Sequence, residues 1–333
     1  MSQDFVVMGA GFVGLSTAYW LRELAPDSKI LVIDPKGIGA GASGKNAGFL
    51  TKGSAFFYQH LMNRWGEEKA LEIFNFSRIS LELLHQNILM ASTLDYMKTS
   101  SLTLYRAQKP KLPLAFGFRD EASSFPSHFA GALRSADEFR VRSSELLEIL
   151  YQNLLKKNVS FSLGKAETRT DGKKTIFCLN AYTSQALPEY SDRIYPRRAQ
   201  MLRVRLKTPN SIGQELYYDP AERVYFRREA VDQLLIGGKR LMDVKGEETF
   251  LEGNSEIIQS ALETYLTSLG LDFEVMDRWS GIMGFTESEL PLLEDQGSRL
   301  IIGGFSGHGM GLGFHAGKVA AELALGLKTH HPF

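Results

Sequence analysis

The chain opens with a short apolar segment that runs directly into Gly9-Ala10-Gly11-Phe12-Val13-Gly14. It continues through a helical stretch and returns along Lys29-Ile30-Leu31-Val32-Ile33 to Asp34. Strand, spaced glycines, helix, strand and acid, in that order, commit the N-terminal segment to a βαβ unit shaped for a dinucleotide. The first glycine permits the tight turn, the second admits a pyrophosphate to the backbone, and the third lets helix and strand pack closely. The helix N-terminus then presents free N–H groups and a positive dipole end. Asp34 follows the glycines by about 20 residues, where a carboxylate can accept hydrogen bonds from a ribose.

Leu15, Ala18, Tyr19, Leu21 and Leu24 give the first helix an apolar face, and Pro26-Asp27-Ser28 ends it. The stretch 37–49 is too rich in glycine for an ordinary linker. Periodicity predicts one long amphipathic helix over 67–91 and another from Ser144 to Lys157, leading to a strand at Val159-Ser160-Phe161. Lys174 to Tyr182 reads as a buried strand with a polar tip, which places Cys178 mid-strand as a small core residue. Strands are expected at 102–105, 201–206, 224–227 and 233–238, with prolines at 110, 113 and 126 breaking up the segment between 94 and 142. A helix is predicted from Ser255 to Leu269. A strand at 300–302 is followed by a glycine-rich run, and the last helix is expected from His315 to Leu327, with His315 as a cap or packing residue.

At 333 residues the chain is long for a single core. Two compositional modes interleave. Residues 1–92, 143–195 and 275–333 read as a doubly wound, mostly parallel α/β domain that holds the dinucleotide. Residues 93–142 and 196–274 read as a second α+β domain on a mostly antiparallel sheet, which faces the substrate. Lys+Arg and Asp+Glu both number 38, so charge offers no attraction for nucleic acid or for a membrane surface. No apolar run is long enough to span a bilayer, the start lacks a basic leader, and cytoplasm is the expected location. A single cysteine excludes an intrachain disulfide, and no His/Asp/Glu spacing suggests a metal site.

The run Gly303-Gly304-Phe305-Ser306-Gly307-His308-Gly309-Met310-Gly311-Leu312-Gly313 repeats, at the far end of the chain, the logic of the first junction. A second glycine-rich strand-to-helix turn suits a ligand longer than a single pyrophosphate. FAD fits, because the N1/O2 edge of its ring gains negative charge on reduction and a helix N-terminus stabilises it. A nicotinamide cofactor has no such need.

In order along nearly the full length, the motifs resemble the D-amino-acid-oxidase-like superfamily of FAD-dependent oxidoreductases. Residues 9–19 resemble its dinucleotide motif, and Gly41-Ala42-Ser43-Gly44-Lys45-Asn46-Ala47-Gly48-Phe49 resembles the segment beside its pyrophosphate and flavin ring. Leu179-Asn180-Ala181-Tyr182 is similar to a strand end of the family, and Tyr195 to Gln200 to the entry into its substrate sheet. Val224-Tyr225-Phe226-Arg227 with Leu235 to Gly238 is similar to the strand pair over its flavin. Trp279-Ser280-Gly281 with Thr286 and Pro291, and Gly304 to Gly309, complete the series. Gamma-glutamylputrescine-oxidase-like and sarcosine-oxidase-like branches are nearest.

The resemblance implies oxidation of the C–N bond of an amine or N-substituted amino acid, by hydride transfer to flavin N5 and hydrolysis of the imine. The acceptor is dioxygen or another oxidant. It implies a cofactor site of Gly9, Ala10, Gly11, Phe12, Val13, Gly14, Asp34, Pro35, Ala42, Ser43, Lys45, Asn46, Ala47, Gly48, Phe49, Ala166, Asn180, Ala181, Gly281, Gly304, Gly307, His308, Gly309, Met310, Gly311 and Leu312. Ala166 belongs to a stretch, 159–174, that is short for the family. Tyr225, His308 and Arg227 are the candidate catalytic residues, and Phe49, Tyr225 and Met283 the candidate pocket wall.

Several positions depart from the family. Leu235 stands where sarcosine oxidases carry an oxygen-activating lysine, and Gly311 where they carry a carboxylate-binding lysine. Ile282-Met283 stands near their flavin-linking cysteine, so noncovalent FAD is expected. Met283 also lies where amino-acid oxidases place a carboxylate-binding arginine, and Arg227 or Arg228 is a candidate replacement cation.

Single residues keep two readings. His308 is structural or catalytic, and Tyr225, Phe49 and Met283 line a pocket or fill a core. Lys45 binds the cofactor or projects as a loop lysine, and Asn46 bonds the cofactor or forms a turn. The whole chain also has an alternative, a flavin-binding subunit or vestigial homologue acting through a protein partner. A nicotinamide dehydrogenase is the third reading.

Overall fold

The computed structural model describes residues 3–54, 58–111, 116–123, 125, 128–165 and 172–333. Ala166, Pro113 and Pro126 lie outside the described residues. The first βαβ unit is β1 (Phe5–Met8), α1 (Phe12–Leu24) and β2 (Ile30–Asp34). Next come β3 (Phe49–Leu50), α2 (Tyr58–Trp65), α3 (Glu67–Leu84), β4 (Met97–Tyr105), β5 (Phe118–Glu121), β6 (Gly131–Arg140), α4 (Ser143–Lys156), β7 (Ser160–Leu163), β8 (Lys174–Phe177) and α5 (Thr183–Ala186). The chain closes with β9 (Tyr195–Leu206), β10 (Leu216–Asp219), β11 (Val224–Ala230), β12 (Gln233–Gly238), α6 (Glu256–Ser268), β13 (Phe273–Phe285), β14 (Leu292–Asp295), β15 (Arg299–Gly303) and α7 (Gly309–Ala324).

The strands form two sheets. One has the order β14-β15-β8-β1-β2-β7, parallel except for the β14–β15 pair. Its inner strands are near-continuous apolar runs, as burial on both faces requires. The other has the order β13-β9-β12-β11-β10-β4-β6-β3, with β5 on β6, and is antiparallel except where β10 meets β4. The expected mixed architecture is therefore present. Residue 275 falls inside β13, which pairs with β9 along its length.

Several local expectations need correction. The helix predicted over 67–91 ends its α-helical geometry at Leu84 and continues as a π-turn, His85–Leu89, where the His85 ring stacks on Phe139 at 4.8 Å. Cys178 lies just past β8, buried, with its sulfur 3.7 Å from the Thr17 hydroxyl. The last helix begins at Gly309, six residues before the predicted start at His315. Glycine weakens a helix locally by about 1 kcal/mol relative to alanine. Here it is retained because α7 crosses α1 at close range. A Cβ on Gly317 would sit 2.7 Å from that of Ser16, and one on Gly313 would sit 2.9 Å from the Phe12 ring. Trp20 Nε1 donates to the Phe314 carbonyl at 3.1 Å across the same crossing. His315 is therefore inside the helix rather than a cap. It stacks on Phe76 at 4.0 Å, with Nδ1 3.2 Å from the Phe76 carbonyl oxygen.

Candidate active site

The turn needs glycine at its two ends, where a side chain would strike backbone. Gly9 has φ +106°, and a Cβ there would lie 2.6 Å from the Cys178 carbonyl oxygen. A Cβ on Gly14 would overlap the Gly9 carbonyl oxygen. Asp34 braces this turn. Its Oδ2 accepts from the Ala10 amide at 2.9 Å, and its Oδ1 accepts from the amides of Lys36 and Gly37 at 2.9 and 3.0 Å. A carboxylate has about four acceptor sites, so Oδ2 keeps capacity for a ribose hydroxyl. Pro35 beside it is exposed.

At the start of α1 the Ser43 hydroxyl accepts from the Phe12 amide at 3.0 Å, and a Cβ on Gly11 would come 2.9 Å from that oxygen. Val13 and Gly14 lie in the same first turn, whose amides lack intrahelical acceptors. The segment through Ala42 is held close to the second sheet. A Cβ on Gly281 of β13 would be 3.4 Å from Ala42 Cα and 3.2 Å from Lys45 Cβ, and Trp279 Nε1 donates to the Lys45 carbonyl at 2.9 Å. The Lys45 ammonium pairs with Glu252.

Asn46 is committed to the turn. Its Nδ2 donates to the carbonyls of Ala42 and Ser43 at 3.2 and 2.7 Å, and its Oδ1 accepts from the Gly48 amide and the Ser143 hydroxyl at 2.8 and 2.6 Å. Gly48 adopts φ +74°, and a Cβ there would overlap the Val141 carbonyl oxygen. Asn180, with φ +49°, ties two strand ends together, its Oδ1 accepting from the amides of Gly304 and Phe305 at 3.1 and 3.4 Å. Ala181 is fully buried behind it.

Two cavities share Asn46. The first, of about 240 Å³, lies among Ala47, Phe49, Tyr225, Met283, Gly307, His308, Met310 and Gly311, together with Thr51, Lys52, Tyr218, Arg223 and Arg240. The Phe49 ring meets Tyr225 edge-on at 5.9 Å, and the Tyr225 hydroxyl donates to Met201 Sδ at 3.5 Å. Burial pushes the Tyr225 phenol up to about 12. Met283 lies beside Gly307, and a Cβ on Gly311 would press into the His308 ring at 2.6 Å from Nε2. His308 Nε2 sits 3.0 Å from the Thr51 carbonyl oxygen. A carbonyl only accepts, so Nε2 carries the proton. Burial holds the imidazole down at about 4, neutral at ordinary pH. His308 is also the N-cap of α7, and the Leu312 amide donates to its carbonyl.

The second cavity lies among Gly44, Lys45, Arg203, Arg227, Leu235, Glu252 and Trp279. Arg227 is therefore separated from the wall formed by Tyr225 and His308. Its Nε donates to the Ala47 carbonyl and its Nη1 to the Arg228 carbonyl at 3.2 Å. Burial first, then the neighbouring arginines, brings it down to about 10. Leu235, buried with Ala47 and Met201, packs beside Phe49, Tyr225 and Trp279.

The structure thus gathers Phe49, Tyr225, Met283 and His308 at one cavity and sets Arg227 at the other. Sequence reading missed Thr51, Tyr218, Arg223 and Arg240. The one available signal was Lys239-Arg240 directly after Gly237-Gly238, at the end of a strand expected to face the site. No cluster of three or more His, Cys, Asp or Glu suited to a metal occurs among the described residues. Nor, among them, is any helix long and apolar enough to cross a membrane.

Residues 4–323 match the family model described as FAD dependent oxidoreductase (DAO). The chain belongs to this family and is an FAD-dependent oxidoreductase. It is 24% identical to the probable oxidoreductase OrdL of Rhizobium meliloti (strain 1021), with 98% of this chain and 84% of that protein covered. It is 23% identical to the gamma-glutamylputrescine oxidoreductase of Escherichia coli (strain K12), covering 97% and 84%. The fold is shared with glycine oxidase from Geobacillus kaustophilus, at a TM-score of 0.78, 17% identity and coverage of 99% and 96%.

The residues present fit FAD. Glycines line the start of α1 where a Cβ would intrude, Asp34 retains acceptor capacity, and a second helix start opens on the first cavity at Met310 and Gly311.

Proposed function

We propose that this chain oxidises the C–N bond of an amine or N-substituted amino acid, with the imine product hydrolysed by water. The observation that carries this reading is the first cavity. One wall is the cofactor-side segment 46–49 with the start of α7, and the facing wall is Tyr225 on the second sheet. A molecule seated there touches both. The relatives named for gamma-glutamylputrescine and glycine point to the same substrate class. In this reading Gly9 to Gly14, Asp34 and Ser43 hold the dinucleotide, and Ala47, Gly48 and Met310 to Leu312 border the ring. Residues 1–92, 143–195 and 275–333 serve the cofactor, while 93–142 and 196–274 present the substrate face. The reading includes noncovalent FAD and a cytoplasmic location.

Bound there, the flavin supplies the two-electron acceptor. The chain's own residues orient and shield the substrate. Phe49 and Tyr225 form an apolar, edge-on pair that grips a substrate and excludes water. The Tyr225 phenol stays protonated and does not act as a base. His308 commits its Nε2 proton to Thr51 and positions the 51–52 turn against α7. Lys52, Arg223 and Arg240 make the wall positive, which disfavours an ammonium and favours the neutral amine that the oxidation consumes.

The test is the visible spectrum of the purified, anaerobic protein during addition of primary amines, secondary amines and N-methyl amino acids. Bleaching of the flavin band by one class is the expected result. A stable flavin band with every class would overturn the reading in favour of a role through a protein partner.

A further inference from the structure

A protonated amine has to lose a proton before hydride can leave its carbon, and the described lining of the first cavity holds no carboxylate to receive it. Tyr225, up at about 12, and His308, down at about 4, are poor proton acceptors near neutrality. Glu138 lies directly behind this lining. It is 1% exposed, and its Oε1 accepts from the Lys52 amide at 3.1 Å and from the Ser135 hydroxyl at 2.8 Å. The Ser101 hydroxyl also stabilises its charged form, and both Ser101 and Lys52 line the cavity. Its Oε2 is buried without a hydrogen-bond partner.

The backbone is shaped to place this carboxyl. Ser135 and Glu138 lie three residues apart on β6, where plain alternation sends side chains to opposite faces. A bulge between the pairs Ser101–Ser135 and Thr99–Glu138 sets Ala136 and Asp137 against Ser100, with Asp137 at φ +56°. It turns Glu138 inward beside Ser135. The charges around Glu138 are largely committed elsewhere. Lys52, on the turn after β3, attracts it from a distance, while its Nζ donates to the carbonyls of Phe116 and Ala136 at 3.2 and 2.8 Å. Asp137 pairs with Lys98 of β4 at 2.7 Å, and on α3 Arg78 pairs with Glu82 at 2.5 Å. Burial outweighs these partners and holds the Glu138 carboxyl up at about 7.

We propose that Glu138 holds the proton that a substrate ammonium gives up in the first cavity, receiving it through the Ser101 hydroxyl. Glu138 touches no substrate and is a positioning residue for that proton. The inference deepens the amine-oxidation reading and rests on it. In the step, an N–H bond of the ammonium breaks and its proton passes to Ser101 Oγ. Ser101 releases its own proton to Oε2 of Glu138, where an O–H bond forms. The products are a neutral amine in the cavity and a neutral carboxyl behind its wall, and nothing is oxidised or reduced. Lys52, Arg223 and Arg240 favour the neutral amine, and Glu138 gives the displaced proton a place that the lining lacks.

The test uses the flavin-loaded protein and has two arms. The first needs no amine. An infrared pH titration should show the C=O stretch of one protonated carboxyl with a midpoint near 7, and Glu138→Gln should lack it. No such band, or a band unchanged in Glu138→Gln, would overturn the proposal. The second arm follows anaerobic flavin bleaching by n-butylamine, N-methylbutylamine and N-methylalanine against pH. The wild-type rate should fall as pH drops through about 7, because a protonated Glu138 accepts nothing, and should stay level above it. Glu138→Gln still offers an acceptor to the Lys52 amide and should retain flavin. Its rate at about pH 8 should drop by about tenfold or more, the scale of a positioned proton acceptor, and should climb with pH toward the amine's own range. Ser101→Ala should behave alike, and Ser101→Thr, which keeps the hydroxyl, should recover the wild-type profile. An equal loss at every pH with the inflection near 7 intact would show a merely structural role and overturn the proposal. The two readings fail separately. A flavin that none of the three amines bleaches counts against amine oxidation, while bleaching with the same pH profile in wild type and Glu138→Gln sinks the proton role alone.

Discussion

His308 Nε2 stands 3.0 Å from the carbonyl oxygen of Thr51, joining the cap of the last helix to the turn that follows β3. This contact requires a proton on Nε2, which the ring carries in either charge state; burial is what keeps the ring neutral. Burial brings the ring from its ordinary 6.5 down to about 4. Above pH 6.5 both folded and unfolded chains hold it neutral, and its contribution is fully present. Below that the unfolded chain takes up a proton first, so stability falls as the pH drops toward 4. Thermal unfolding across this window should show a steeper loss for the wild-type protein than for His308→Gln. Parallel curves would mean that the ring is solvated.

The same contact explains why Gly311 tolerates no side chain. A Cβ there would lie 2.6 Å from His308 Nε2 and 2.5 Å from the Thr51 carbonyl oxygen, and neither can yield without breaking the bond between them. Gly311→Ala is expected to lower the melting temperature and weaken flavin retention. Gly309, two residues earlier, would meet only Phe305 at 3.5 Å. There an alanine should be neutral or stabilise by about 0.5–1 kcal/mol, since glycine is the poorer helix former. Melting curves of both variants decide the matter, and an equal effect of the two substitutions would contradict it.

Cys178 gives the third prediction. Its thiol is buried against Thr17, and burial pushes it up to about 12. A thiol reagent at pH 8 should leave the native protein unmodified and find one reactive group after unfolding. Acid precipitation should release all flavin into the supernatant. Yellow colour remaining with the polypeptide would show a covalent link at another residue.

These contacts also mark the limit of what the sequence discloses. The βαβ unit is legible because most of its determinants are local: Gly14 closes on the Gly9 carbonyl and Asp34 accepts from the Ala10 amide, all within the same short segment. The start of α7 is not, because its glycines read as helix breakers until α1 is seen lying against Gly313 and Gly317. Strand β13 escapes notice because its exposed stretch from Glu274 to Asp277 mixes polar and apolar residues and the irregularity between Val275 and Asp277 breaks the alternation. Asn46 reads equally well as a cofactor ligand or a turn former until all four of its bonds are seen to stay within the protein. Arg240 is the extreme case. An arginine after a strand is unremarkable in sequence, and only the structure shows its Nε buried without a hydrogen-bond partner beside the first cavity.

Leu235 leads to the last prediction, which concerns the electron acceptor. It is 3% exposed, packed with Ala47 and Met201, and borders the second cavity. By resemblance this is the place of an oxygen-activating lysine. Reduction of dioxygen builds negative charge on oxygen, which a fixed cation stabilises and a leucine does not. Arg227 is Leu235's cross-strand partner, but its guanidinium is turned to the Ala47 carbonyl. Photoreduced flavin on the wild-type protein should therefore reoxidise slowly in air. Leu235→Lys should accelerate reoxidation by about tenfold or more, the scale of an added electrostatic contact. A lysine buried there has a lowered pKa, so the gain should fade as pH rises through it. Fast reoxidation of the wild-type protein that Leu235→Lys leaves unchanged would move the role to Arg227. Arg227→Met would then slow it.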